Sequence, residues 1–257
     1  MKADILYLIR YLVQEDSRFS NVAIPESYDE QRRLLRSLMN LREPKPVDVE
    51  FLRVQDRFLQ EEAEQKGIVD VLELSATKAD EKIVIWQGDI TRLKADAIVN
   101  AANSQMLGCF VPCHGCIDNA IHSAAGMQLR NECAEIKQQQ GHPEPTGSAK
   151  ITQAYNLPSK HILHTVGPII SGKLTEKDCA DLASCYRSCL ELSEVNKLKS
   201  VVFCCISTGE FHFPNQKAAQ IAISTVTDYL NSGTTIERVV FNVFKNEDYE
   251  IYKELLG

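Results

Sequence analysis

The sequence predicts an α/β sandwich preceded by a small helical unit. Two patterns lead there: helical apolar periodicity over residues 1–77, then short β-rich runs alternating with helical segments over 78–257. A third observation is bulk composition. At 257 residues, 44% hydrophobic and 25% charged, the chain has an ordinary globular balance and can bury a substantial core.

In ADILYLIRYLVQ the positions Ile5, Leu8, Ile9, Leu12 and Val13 follow the i, i+3, i+4, i+7 spacing of an amphipathic helix. After a turn at Pro25, Ser27 and Glu30 are spaced as a capping box before Leu34, Leu35, Leu38 and Leu41. Pro44 and Pro46 end that helix. A third, over 48–67, carries Phe51, Leu52, Phe58 and Leu59 and closes at Gly67. The apolar faces of this unit must pack on something, most simply the segment that follows.

Strands are predicted in KIVIWQG, ADAIVNAA, SAKITQAY, HILHTVGP, SVVFCCIS and RVVFNVFK. Helices are predicted over 116–140, 176–198 and 215–232. Continuous apolar runs such as SVVFCCIS are what strands buried on both faces require.

A net charge of −7 and a pI near 5.5 argue against nucleic-acid binding, which needs clustered Lys and Arg to neutralise phosphates. No stretch reaches the roughly 18–20 uncharged apolar residues of a membrane span, and Lys2, Asp4 and Arg10 interrupt the opening apolar pattern. The expectation is a cytoplasmic protein without signal peptide or membrane segment. Nine cysteines, an odd number, then read as thiols or metal ligands. Cys133, Cys179, Cys185, Cys189, Cys204 and Cys205 fall in apolar or helical patterns and are expected in the core.

Cys109, Cys113 and Cys116 crowd around His114. Thiolate and imidazole donors at Cys109, His114 and Cys116 form the kind of set that holds Zn²⁺. Three ligands leave a fourth position for water or substrate; recruiting Cys113 would close the site and make it structural. Because Cys113 directly precedes His114, aiming both at one ion needs an awkward backbone. The other reading is unmetallated thiols beside a surface histidine.

Three more segments carry chemistry. In ISTGEFHFP, between a strand and a helix, Ser207, Thr208 and Gly209 suit a phosphate and Phe211 or Phe213 an aromatic wall, although the same composition makes a plain turn. Asn100 and Asn103, in VNAAN, can donate to and accept from sugar hydroxyls, or cap a turn. Asp118 should sit in the first turn of a helix, as a cap or as a general base beside the cysteine loop.

Taken in order, GDIT (88–91), VNAAN (99–103), DNAIHSAAG (118–126), ILHTVGP (162–168), ISTGEFHFP (206–214) and VVFNVF (239–244) resemble the macrodomain family, which binds ADP-ribose. The insertion CFVPCHGC, where ordinary members run through glycines, resembles its zinc-containing bacterial branch, in which a helical N-terminal extension is also expected. The resemblance implies a three-layer α/β/α sandwich with a mixed sheet over 78–257, after an extension over 1–77. It further implies that Asp89 accepts from the adenine amino group with the Ile90 backbone alongside, and that Phe244 stacks on adenine. The turn with Ser207, Thr208, Gly209, Glu210, Phe211 and His212 would cradle the diphosphate. Asn103 would hold the distal ribose, Asn100 support the loop, Asp118 act at the anomeric centre, and Cys109, His114 and Cys116 bind zinc nearby. Glu210 and His212 depart from the small residues that ordinary members place after STG. The implied activity is hydrolytic removal of mono-ADP-ribose from protein side chains, with Asp118 and Asn103 as catalytic residues and Zn²⁺ as cofactor. A non-cleaving reader and a hydrolase of small esters such as O-acetyl-ADP-ribose are the alternatives. The branch also implies a partner transferase and a lipoyl-carrier-like protein substrate.

Overall fold

A computed structural model describes residues 2–257. The helical N-terminal part comprises α1 (Lys2–Glu15), α2 (Tyr28–Leu41) and α3 (Val49–Lys66). Ser27 caps α2, accepting from the Glu30 amide at 3.3 Å while its hydroxyl donates to the Glu30 carboxylate at 2.7 Å. Asp48 caps α3 by accepting from the amides of Glu50 and Phe51, and Gly67, at φ 82°, ends it. The three helices bury Ile5, Leu8, Ile9, Leu35, Phe51 and Phe58 in a core of their own, to which Met127 is the contribution from the rest of the chain.

The chain continues through β1 (Val69–Asp70), β2 (Ile83–Gln87), β3 (Leu93–Lys94), β4 (Ala97–Ala101), α4 (Ile117–Ala125) and α5 (Met127–Gln140). It ends with β5 (Ala149–Gln153), β6 (His161–Thr165), α6 (Glu176–Val195), β7 (Ser200–Phe203), α7 (Asn215–Leu230), β8 (Arg238–Val243) and α8 (Asn246–Leu256). β1 pairs with β3, and Val71 just beyond it joins the large core. The main sheet has the order β2-β8-β7-β4-β6-β5, parallel except for β5 against β6. It is therefore mixed, as the α/β sandwich requires. α4 and α5 pack on β4 and β5, while α6, α7 and α8 pack on one another and over β5, β6, β2 and β8.

The structure departs from the sequence reading at several elements. The helix expected over 116–140 is two helices, because Gly126 adopts φ 100°. A Cβ there would lie 2.6 Å from Gln55 Nε2, and Gln55 Oε1 accepts from the Met127 amide at 2.9 Å, so a side chain of α3 caps α5. β7 stops at Phe203, although its apolar run continues, because Cys204 and Ile206 remain buried in the turn that follows. α8 was not read at all.

The chain leaves β4 toward β5 and β6, and leaves β7 toward β8 on the other side. A cleft therefore opens at the carboxyl ends of these adjacent strands, the place where open α/β sheets bind ligands.

Candidate functional site

A cavity of about 910 Å³ occupies that cleft, between the segments that follow β2, β4, β7 and β8. At its β2 end, Asp89 caps a short 3₁₀ turn, its Oδ1 accepting from the Thr91 amide at 3.0 Å and the Thr91 hydroxyl at 2.7 Å. Ile90 is buried beside it and Phe244, 76% exposed, stands at the rim.

Ser207, Thr208, Gly209, Glu210 and Phe211 form the wall after β7. Ser207 holds a left-handed φ of 65°, and its hydroxyl is buried without a hydrogen-bond partner among the described residues. The loop is tied down by Phe213 N to Ser207 O (2.9 Å) and Ile170 N to Phe211 O (2.9 Å). Gly167 approaches so closely that a Cβ would meet Ser207 Oγ at 2.0 Å. The sequence reading placed His212 with this wall. It instead sits exposed at φ 57°, outside the cavity lining, its amide donating to Gly209 O at 3.1 Å.

Asp118 lies on the cavity wall in the first turn of α4, with 5% of its surface exposed. Asn100 Nδ2 donates to its Oδ1 at 2.8 Å and Asn103 Nδ2 to its Oδ2 at 3.3 Å. Burial raises the carboxyl to about 6, against the pull of those two amides and of Arg130. His122 Nε2 approaches Asp118 at 3.5 Å, but burial and the neighbouring His164 and Arg130 hold His122 well below its usual range. The contact joins a neutral ring to a carboxylate and is not an ion pair. Asn100 is not in the wall; it is fully buried behind Asp118, its second amide hydrogen facing His164 Nδ1 at 3.1 Å. Because the Asn100 amide nitrogen can only donate, the lone pair belongs on His164 Nδ1 and the proton on Nε2, which donates toward Thr152 Oγ1 at 2.9 Å.

Cys109, His114 and Cys116 come together with their donor atoms all within 4.8 Å of one another, Cys109 Sγ lying 3.7 Å from His114 Nδ1. Cys116 is also the N-cap of α4, its sulfur accepting from the Asn119 amide at 3.4 Å. Burial pushes Cys116 up to about 12, against the pull of the Asn119 amide and with the Cys109 sulfur nearby adding to the rise. Donor chemistry and proximity thus fit a metal ion. Cys113 behaves otherwise: at φ 51° its thiol turns to Ser37 Oγ (3.2 Å) and Arg33 O (3.4 Å). Glu210 Oε1 reaches to 3.7 Å from His114 Nε2. Among the described residues all nine cysteines are free thiols.

The sequence reading missed several cavity residues. Asn242 donates to Gly88 O at 2.9 Å and Asp248 accepts from Asn215 at 2.6 Å, each fixing a wall segment. Arg36 of α2 also lines the cavity, and nothing in the local pattern of a helix marks such a residue.

The macro domain family's sequence profile matches residues 99–222. A protein-ADP-ribose hydrolase of Treponema medium is 54% identical over 254 residues, covering 98% of this chain and 97% of that protein. One from Staphylococcus aureus is 48% identical over 257 residues, covering 100% and 96%. Among solved structures, the Trypanosoma brucei macrodomain in complex with ADP-ribose matches with a TM-score of 0.68 at 28% identity, covering 91% of this chain and 97% of that one. The Oceanobacillus iheyensis macrodomain with ADP gives 0.60 at 41% identity, over 66% and 87%. With relatives this similar over its whole length, the chain belongs to the macro domain family.

Proposed function

We propose that this protein is a hydrolase of ADP-ribosylated proteins that releases mono-ADP-ribose from a modified side chain and holds Zn²⁺ at Cys109, His114 and Cys116. The names of the two relatives above support the hydrolytic part. The observation that carries the reading is the convergence, on one cavity, of a buried carboxylate held by two amides and a Cys/His/Cys donor set.

In this reading adenine lies between Asp89, whose Oδ2 accepts from the exocyclic amine, and the Phe244 ring. The diphosphate rests on the backbone N–H groups of the 207–211 loop, as the resemblance implies. Asn103 holds the distal ribose and Asn100 fixes the orientation of Asp118 from behind. Cleavage at C1″ passes through an oxocarbenium-like state, which a carboxylate beside the anomeric carbon stabilises. Asp118 takes the proton of the incoming water as the oxygen bonds to C1″ and the side-chain link departs. Zinc, when bound by Cys109, His114 and Cys116, supplies Lewis-acid polarisation of an oxygen ligand. Glu210 lies on the Nε2 side of His114, opposite the Nδ1 that faces Cys109. A lipoyl-carrier-like protein as the modified substrate rests on the resemblance alone.

The test is substitution of Asp118 by Ala or Asn, read by ADP-ribose release and, separately, by calorimetric binding of ADP-ribose. Release should fall by about 10²- to 10⁴-fold, the span of a lost general base, while binding persists. A variant that turns over at the wild-type rate removes Asp118 from the reaction. Wild-type binding with no release from modified protein, but turnover of O-acetyl-ADP-ribose, favours the small-ester hydrolase; neither activity favours the reader.

A further inference from the structure

The loop from residue 107 to Cys116 makes little regular structure of its own, one internal bond being His114 N to Val111 O at 3.2 Å. What fixes it comes largely from outside. Asn119, fully buried in the first turn of α4, donates through Nδ2 to Val111 O at 2.9 Å and through its amide to Cys116 Sγ at 3.4 Å. Its Oδ1 accepts a guanidinium fork from Arg36, Nη2 at 2.6 Å and Nε at 3.0 Å. The same Nη2 donates to His114 O at 3.1 Å. One turn along α2, buried Asn40 accepts from the Cys113 amide at 2.9 Å, and its Nδ2 donates to Ser123 Oγ at 3.0 Å. Ser123 Oγ in turn approaches Asn119 Oδ1 at 3.3 Å.

Two side chains of the N-terminal helices thus hold the backbone at consecutive loop residues, one of them the imidazole donor, and both connect to the buried side-chain amide directly after Asp118, Arg36 directly and Asn40 through Ser123. We propose that Arg36 and Asn40, acting through Asn119, are positioning residues that set the geometry of the Cys109–His114–Cys116 donor set. The N-terminal helices are then a working part of the site and not only a cover for apolar surface. This rests on the zinc reading above only in treating the loop as the metal's holder. A half-buried, forked contact on one carbonyl oxygen, with a second bond to His114 O, suits a planar guanidinium and not an ammonium, so Lys cannot replace Arg36. Outer groups that orient metal ligands typically affect metal affinity by about 10–100-fold.

The experiment is Zn²⁺ competition against a chromophoric chelator with the full chain, comparing wild type, Arg36→Ala, Arg36→Lys, Asn40→Ala and Leu8→Ala. Leu8 is fully buried in the N-terminal core, so its truncation loosens the helices without removing any of these bonds. The Arg36 variants should weaken zinc binding by about 10-fold or more and Asn40→Ala in the same direction, while Leu8→Ala lowers Tm but keeps affinity within about twofold. Wild-type affinity in Arg36→Lys, or an equal loss in Leu8→Ala, overturns the proposal. Hydrogen exchange at the amides of Val111 and of residues 113–116 of the metal-free protein, referenced to those of β4, is the second readout. It should accelerate in Arg36→Lys and Asn40→Ala and not in Leu8→Ala; unchanged exchange in all three also overturns it. If wild type binds no zinc, or binds it equally well after Cys116→Ser, the zinc reading fails while the exchange result still decides this one.

Discussion

Burial alone would protonate Asp118, and the amides of Asn100 and Asn103 work against it. Asn100 can do this because its own orientation is fixed: one amide hydrogen serves Asp118 and the other His164 Nδ1. The histidine behind this arrangement carries a measurable cost in acid. Burial lowers His164 to about 3, so the folded chain keeps it neutral while the unfolded chain takes up a proton near pH 6.5. Below that pH the unfolded state binds more protons, so stability is full above about 6.5 and falls as pH drops. The expected loss from His164 is about 2 kcal/mol between pH 7.5 and 5, read from urea midpoints. His164→Gln should show a shallower pH dependence than wild type; equal slopes would contradict a neutral buried His164. At this scale the sequence was informative where a motif concentrates chemistry, as with Asp118 and the Cys/His/Cys donors, which lie together on the cavity. His164 and Thr152 gave no signal, since their pairing depends on the β5–β6 register.

Periodicity located α1, α2 and α3 to within a residue or two because each has an apolar stripe, reinforced in α2 and α3 by a local side-chain cap. It failed at Gly126 for a physical reason: the cap of α5 is Gln55, more than seventy residues away. Gly126→Ala should therefore be destabilising. A Cβ at φ 100° is strained in itself and would meet the Gln55 amide at 2.6 Å, so a loss of about 1–3 kcal/mol is expected in urea unfolding. A wild-type midpoint for Gly126→Ala would show that the break between α4 and α5 is not enforced there. The short strands β1 and β3 also escaped the sequence reading, having only two residues each.

Across the whole molecule, parallel strands and the reversal of strand order between β4 and β7 put four loops around one cleft, and alternation of strands and helices was enough to expect that class of architecture. The sequence could not show which side of the cleft the N-terminal helices face. That depends on non-local bonds such as Arg130 to Arg42 O (2.6 Å) and Arg36 to Asn119, between segments each unremarkable alone. No helix among the described residues is long and apolar enough to cross a membrane. In the proposed function a carboxylate and a metal set, carried by different segments, act together on one bound ADP-ribosyl group. The direct measurement is single-turnover release of ADP-ribose from a mono-ADP-ribosylated protein, by zinc-replete enzyme and by chelated enzyme shown to remain folded and to bind ADP-ribose. Rapid release is expected from the first, and loss of release with binding retained from the second. Undiminished release from the chelated enzyme would contradict the proposed function.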